Sequence, residues 1–429
     1  MKAYLILWSG QVVSLLGSGL TTFALGVWVY QRTGSVTKFA LIAFFGSLPG
    51  LVLSPVAGAL ADRWDRRRTL ILSDCLAAIL SAVLLLLLWD ESKGLLEMWH
   101  IYLLTAVASV GNALQWPALT ATTTLLVPRQ HYGRASGLSQ MAQAISQIAA
   151  PFLGALLLQE VRMRGILILD LATFGFAVAT LLLVRLDGPG RTPETGARRS
   201  LWQDSTVGWT YVRERPGLFG LLLLFAATNF NIGMLQALLT PLILSFAPAE
   251  ALGRVLSVAG LGMLAGTVAM GAWGGPRRRV NGILAGLLAQ GLILLVGGWQ
   301  PKVSLIGMAA FVFLAATPII NGCSQAIWQI KVPPGLQGRV FAVRRTVALS
   351  AAPLAYFLAG PIADRVFEPL LAPGGALAGS VGALLGVGHG RGIGFLFVLL
   401  GLLVVVCVAV AVGSPRLRNV EDELPDAVS

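Results

Sequence analysis

The sequence predicts an all-α integral membrane protein with twelve transmembrane helices in two pseudo-symmetric six-helix halves. Three observations carry that expectation. The 429 residues are 56% hydrophobic and 12% charged, with a mean hydropathy of +0.79, which is more apolar surface than a soluble core can hide. The apolar residues fall in runs near twenty long, and in lipid, where backbone groups must be satisfied internally, such runs select helices over a barrel. A short motif then recurs at an equivalent place in each half.

Breaking the apolar runs at charges, Pro and Gly gives spans at 5–30, 39–60, 69–89, 99–126, 136–158, 166–184, 217–246, 255–275, 282–299, 303–331, 341–365 and 393–413. The Gly-rich stretch 372–394 is expected as an interrupted outer loop, because its apolar piece 376–387 is too short to cross. With the N-terminus inside, 22 of the 31 Lys and Arg fall on the inner side, so both termini are expected to be cytoplasmic. Lys2 is followed at once by a full-length span with no small-residue cleavage site, so that span is expected to act as its own insertion signal. The formal charge of +12 comes from brief arginine clusters between spans. Membrane lipid headgroups suit such clusters better than nucleic acid does, and no soluble partner is implied.

The polar gap at 186–215 separates an N-terminal half over 1–185 from a C-terminal half over 216–413, with a cytoplasmic tail at 414–429. In the gap, 187–199 is rich in Gly, Pro and charge. Leu201, Trp202, Trp209 and Val212 then alternate with polar residues as a short amphipathic helix on a membrane surface does, and Pro216 stands where a helix can start. The repeat is Val127-Pro128 with Gly133-Arg134, matched by Val332-Pro333 with Gly338-Arg339 at a constant offset of 205. Each copy joins the fourth span of a half to the fifth.

Polar side chains in lipid are costly, about 2.5–3.5 kcal/mol for a charge at a helix centre, so their placement shows which helices face something other than lipid. Span 1 carries Gln11, Ser14, Ser18 and Thr21 on one face, span 4 Asn112 and Gln115, span 7 Asn229 and Gln236, and span 10 Asn321, Ser324 and Trp328. Any one of these residues can equally join helix to helix, but the recurrence in the first helix of each triplet predicts a central wet cavity lined by spans 1, 4, 7 and 10. Pro117 and Pro318 are expected to kink two of those helices. The small residues Ala150, Pro151 and Gly154 of span 5 favour close packing.

The loop Gly58-Ala-Leu-Ala-Asp62-Arg63-Trp-Asp-Arg66-Arg67-Arg68 between spans 2 and 3 resembles the major facilitator signature G-x-x-x-D-R-x-G-R-R, with Asp65 where the signature has Gly. Together with the twelve spans and the half-repeat it resembles the major facilitator superfamily of secondary transporters from Leu5 to Gly413. Trp64 to Arg68, Ser73-Asp74, the repeated Val-Pro loops and Gly360 to Asp364 resemble the branch that contains enterobactin exporters and macrolide efflux proteins. The resemblance implies alternating access and export of a small amphipathic drug-, macrolide- or siderophore-like molecule. It also implies that Asp62, Arg63, Arg66 and Arg67 form a charge network at a cytoplasmic gate, with Gly58 allowing close helix approach. The second half offers only Gly275 to Arg279 at the matching place, so an asymmetric gate is expected.

Proton coupling needs a carboxylate that burial can hold near neutrality, and Asp170 in span 6 and Asp74 in span 3 are the candidates, each alternatively a cap, an arginine partner or a headgroup-facing acid. The stripes contain no acid, which favours a neutral or amphipathic substrate. Cys75, Cys323 and Cys407 have no close pair and His100, His131 and His389 are scattered, so neither a metal site nor a cofactor is expected. No catalytic constellation and no G-x-x-x-x-G-K-[ST] loop occurs, so an enzyme and direct ATP drive are not expected. Uptake of a polar nutrient and a non-transporting receptor are the competing readings.

Overall fold

A computed structural model describes residues 2–89, 95–128, 131–184 and 201–423. The helices in chain order are α1 (Lys2–Thr33), α2 (Val36–Arg63), α3 (Arg66–Leu88), α4 (Met98–Leu126), α5 (Tyr132–Glu160), α6 (Arg162–Leu183), α7 (Leu201–Arg213), α8 (Pro216–Leu244) and α9 (Ala249–Trp273). They continue with α10 (Arg279–Trp299), α11 (Val303–Lys331), α12 (Pro334–Ile362), α13 (Glu368–Leu370), α14 (Val381–Leu385), α15 (Arg391–Gly413), α16 (Pro415–Arg418) and α17 (Val420–Glu423).

Twelve of these are 21 to 32 residues long, about 32–48 Å at 1.5 Å per residue and enough to cross a hydrocarbon core of about 30 Å. Eleven are also apolar throughout a spanning window. The twelfth, α4, is 29 residues long, but Asn112, Gln115 and its threonines lower its hydropathy. Boundaries follow local chemistry. Gly34 takes φ 62 after α1, a left-handed ending that glycine adopts without strain. Pro216 and Pro334 open α8 and α12, where a missing N–H costs nothing. Pro117 and Pro318 lie inside α4 and α11, which continue on either side.

The chain forms two compact units. The first holds 1–192 with 248–257. Here α2 packs on α4, α3 on α4 and α6, and α1 on α5 and α6. A Cβ on Gly10 would lie 2.0 Å from Thr180 Oγ1, and one on Gly17 would lie 2.2 Å from Thr173 Oγ1, so these glycines let α1 and α6 approach closely. The small residues of α5 do the same against α1: Gly19 meets Ala150, Gly154 meets Phe23, and Ser146 Oγ donates to the Leu15 carbonyl at 3.1 Å. Ser257 Oγ donates to the Ile148 carbonyl at 2.8 Å.

The second unit holds 193–247 and 258–429. Its closest helix pairs are α10 with α11 and α15, and α8 with α12. Two glycine pairs, Gly291 with Gly401 and Gly298 with Gly394, face each other across α10 and α15, each backbone against the other. The segment expected as an amphipathic helix in the second part of the linker is α7. Its Gly208 abuts the Arg339 carbonyl, Val212 is fully buried, Tyr211 Oη donates to the Lys331 carbonyl at 3.1 Å, and Trp209 remains exposed beside Phe219. The first part of the linker, 187–199, lies outside the described residues.

The repeat has the same backbone in both copies. Val127 ends α4 at φ −109 and ψ 127, and Val332 ends α11 at φ −106 and ψ 124; both are buried. The Gly-rich stretch, expected as an interrupted loop, is a compact cap. Gly388 N donates to the Leu371 carbonyl and Leu377 N to the Leu370 carbonyl, while Leu371 is fully buried. The Glu368 carboxylate accepts from Gly390 N at 3.0 Å and Ile393 N at 3.1 Å, closing the start of α15 as an N-terminal anion does. Composition alone does not reveal this, because the ordering comes from one acidic side chain bonding to a later helix start.

Candidate functional site

The first half buries two carboxylates along the face of α3. Asp74 is 1% exposed and stands about 12 Å along α3 from its start. Its Oδ1 accepts from Gln115 Nε2 at 2.7 Å and its Oδ2 from Gln11 Nε2 at 3.3 Å, and Gln115 Nε2 also reaches Gln11 Oε1 at 3.3 Å. One acid from α3 is thus held by one amide from α1 and one from α4. Two turns along α3, Ser81 Oγ donates to Asp170 Oδ2 at 2.9 Å, as does Thr21 Oγ1 of α1. Asp170 is 2% exposed and its Oδ1 has no hydrogen-bond partner. Among the described residues no cation pairs with either acid. A buried carboxylate held only by neutral donors can change protonation without breaking an ion pair, and intramembrane acids mark ion and proton pathways.

The other stripe residues are placed differently. Ser14 is buried and Ser18 half-buried, while Asn112 and Asn321 are exposed. Asn229 Nδ2 bonds its own helix at the Phe225 carbonyl, 2.8 Å away, and Gln236 accepts from Tyr356 Oη. Ser324 and Trp328 are fully buried in the second half's core, where Ser324 accepts from Arg344 Nη2 at 3.1 Å. The sequence reading counted Arg344 only as one of many charges. Its position between α8, α11 and α12 is visible only in three dimensions.

At the charged loop, the side chains of Gly58, Asp62, Arg63 and Arg66 lie outside the described residues. Arg67 Nη2 donates to the Leu182 carbonyl at 2.8 Å, near the C-terminus of α6, a favourable place for a cation. Asp65, the departure from the signature, is not in a left-handed turn. Its backbone is extended at φ −62 and ψ 124, and its carboxylate accepts from Arg68 N at 2.8 Å, which makes it the N-cap of α3.

In the second half the corresponding cap comes from the tail. Glu421 accepts from Arg279 N at 3.0 Å and Val280 N at 2.9 Å at the start of α10. Asp422 pairs with Arg278 at 3.2 Å, Lys331 Nζ donates to the Glu421 carbonyl, and Val420 packs on Gly217. The arginine loop lacking its own acid is therefore served by residues more than a hundred positions later. Glu421→Ala is expected to cost about 1–2 kcal/mol through loss of the cap, read as a lowered thermal midpoint of the purified protein. Asp422→Ala, an exposed pair, is expected to cost under about 1 kcal/mol.

Residues 7–356 match the sequence model of the Major Facilitator Superfamily. The chain belongs to that superfamily. As a major facilitator it is a multi-pass membrane transporter of small molecules. It is 29% identical over 379 residues to macrolide efflux protein A of Streptococcus pyogenes, covering 85% of this chain and 90% of that one. It is 26% identical over 361 residues to multidrug efflux pump Tap of Mycolicibacterium fortuitum, covering 81% and 86%. Its fold is that of solved major facilitators. A bacterial homologue of the human lysosomal transporter Spinster superposes with a TM-score of 0.70 at 15% identity over 95% of both chains. A bacterial homologue of the iron transporter ferroportin gives 0.70 at 14%, over 95% of this chain and 98% of that one.

Proposed function

We propose that this major facilitator exports small amphipathic molecules, drug-, macrolide- or siderophore-like, from the cytoplasm by alternating access of its two halves. The inward proton gradient drives it through Asp74, with Asp170 of α6 as a second acid set against the same face of α3. The likeness to efflux proteins over most of their length supports the export direction. The observation that carries the coupling is the Asp74 carboxylate, enclosed by lipid-spanning helices and held by the amides of Gln11 and Gln115. In this reading both termini are cytoplasmic, and Asp62, Arg63, Arg66 and Arg67, with Gly58, form the cytoplasmic gate.

The test is accumulation of a panel of macrolides, fluorescent amphipathic dyes and siderophore-like molecules in cells with and without the chain. Lower accumulation that a protonophore abolishes is the expected result. Unchanged accumulation across the panel would overturn the reading, and raised accumulation would reverse the direction.

A further inference from the structure

The second half contains a half-buried cation held by neutral side-chain oxygens. Arg344 lies about 15 Å along α12 from Pro334, within the apolar span Gly335–Leu370, and is half-buried. Its Nη1 donates to Gln325 Oε1 at 2.8 Å and its Nη2 to Ser324 Oγ at 3.1 Å. The guanidinium carbon lies 5.5 Å from the centre of the Trp328 ring and 5.9 Å from that of Phe225. Among the described residues no carboxylate pairs with it, whereas Arg278 has Asp422 and Arg215 has Glu214.

We propose that Arg344 is the anchor for an anionic group on the substrate, so that the compounds this chain recognises include organic anions, carboxylates above all, on an apolar or aromatic body. The proposal rests on the export reading above and names its substrate class. A half-buried cation on a spanning helix, with no counter-charge among the described residues, carries a desolvation cost that an anionic ligand would offset. Ser324 and Gln325 orient the guanidinium but supply only neutral oxygens. Two of its five N–H groups bond those oxygens, and the planar fork suits a bidentate carboxylate. The buried rings of Trp328 and Phe225 hold the cation over their faces and fix where it sits. Amide and hydroxyl stripes alone pointed to a neutral substrate. The arginine behind Ser324 adds the missing charge.

The test uses the full chain in lipid nanodiscs and two fluorescent probes, a dansyl-labelled amino acid with a free carboxylate and its carboxamide. The wild type is expected to bind the carboxylate at least about tenfold more tightly. Arg344→Gln is expected to lose that preference, and Arg344→Lys, which keeps charge but not the fork, to keep part of it. Matching thermal midpoints of the three purified proteins check the fold. Equal binding of the two probes by the wild type, or a preference that survives in Arg344→Gln, overturns the anion site. Selective binding lost in Arg344→Gln, together with no expulsion of the carboxylate from cells, supports the site and overturns the export reading instead.

Discussion

Asp74→Asn is expected to reduce protonophore-sensitive export sharply while leaving the protein at least as thermally stable as the wild type. Asparagine keeps the shape of the acid and can still accept from Gln11 or Gln115, so the seam of α1, α3 and α4 stays filled. What it cannot do is alternate between charged and neutral. If a proton on Asp74 biases the conformational equilibrium, its loss removes a coupling of about 1–3 kcal/mol, or about 5- to 150-fold in driven export. Stability moves the other way because a buried ionisable group is a burden to the fold. A merely structural Asp74 would give the opposite pattern, a lowered thermal midpoint with proportionate loss of all transport. Transport into proteoliposomes at fixed pH gradients, alongside thermal unfolding, separates the two. If Asp170→Asn proves the more damaging change, the coupling role passes to Asp170.

Gly401→Val is expected to produce a large loss of folded protein. A Cβ at Gly401 would stand 2.7 Å from the Gly291 carbonyl and 3.0 Å from Leu294 Cβ, against backbone that cannot rotate away. Overpacking of this kind costs about 1–3 kcal/mol and more where the neighbour is rigid. In lipid, where helix association depends on close packing, the α10 and α15 pair has little else to replace it. Alanine at the same site should give a smaller loss of the same sign. Gly175→Ala, on a part of α6 where the added methyl meets nothing within 4 Å, should instead stabilise by up to about 1 kcal/mol through helix propensity. Thermal unfolding of the purified variants reads both signs, and equal effects at 401 and 175 would overturn the packing account.

Much of the architecture was legible in the chain itself because lipid imposes a local rule. Each span must satisfy its own backbone and show apolar side chains outward, so run length and the Val-Pro repeat sufficed for twelve helices in two halves. The same rule made Asp74, Asp170, Gln11 and Gln115 conspicuous, since polar groups in such runs need a reason. Tertiary structure alone decided which of them meet. Gln11 and Gln115 became ligands of Asp74 because α1, α3 and α4 pack together, while Asn112 stayed exposed on the same helix as Gln115. It also decided that Glu421 caps α10, that Glu368 orders the Gly-rich stretch before α15, and that Arg344 lies against Trp328 with no acid paired to it among the described residues. Helix formation in a membrane is governed by the residues of one segment, whereas the partner of a buried charge is set by which segments pack side by side.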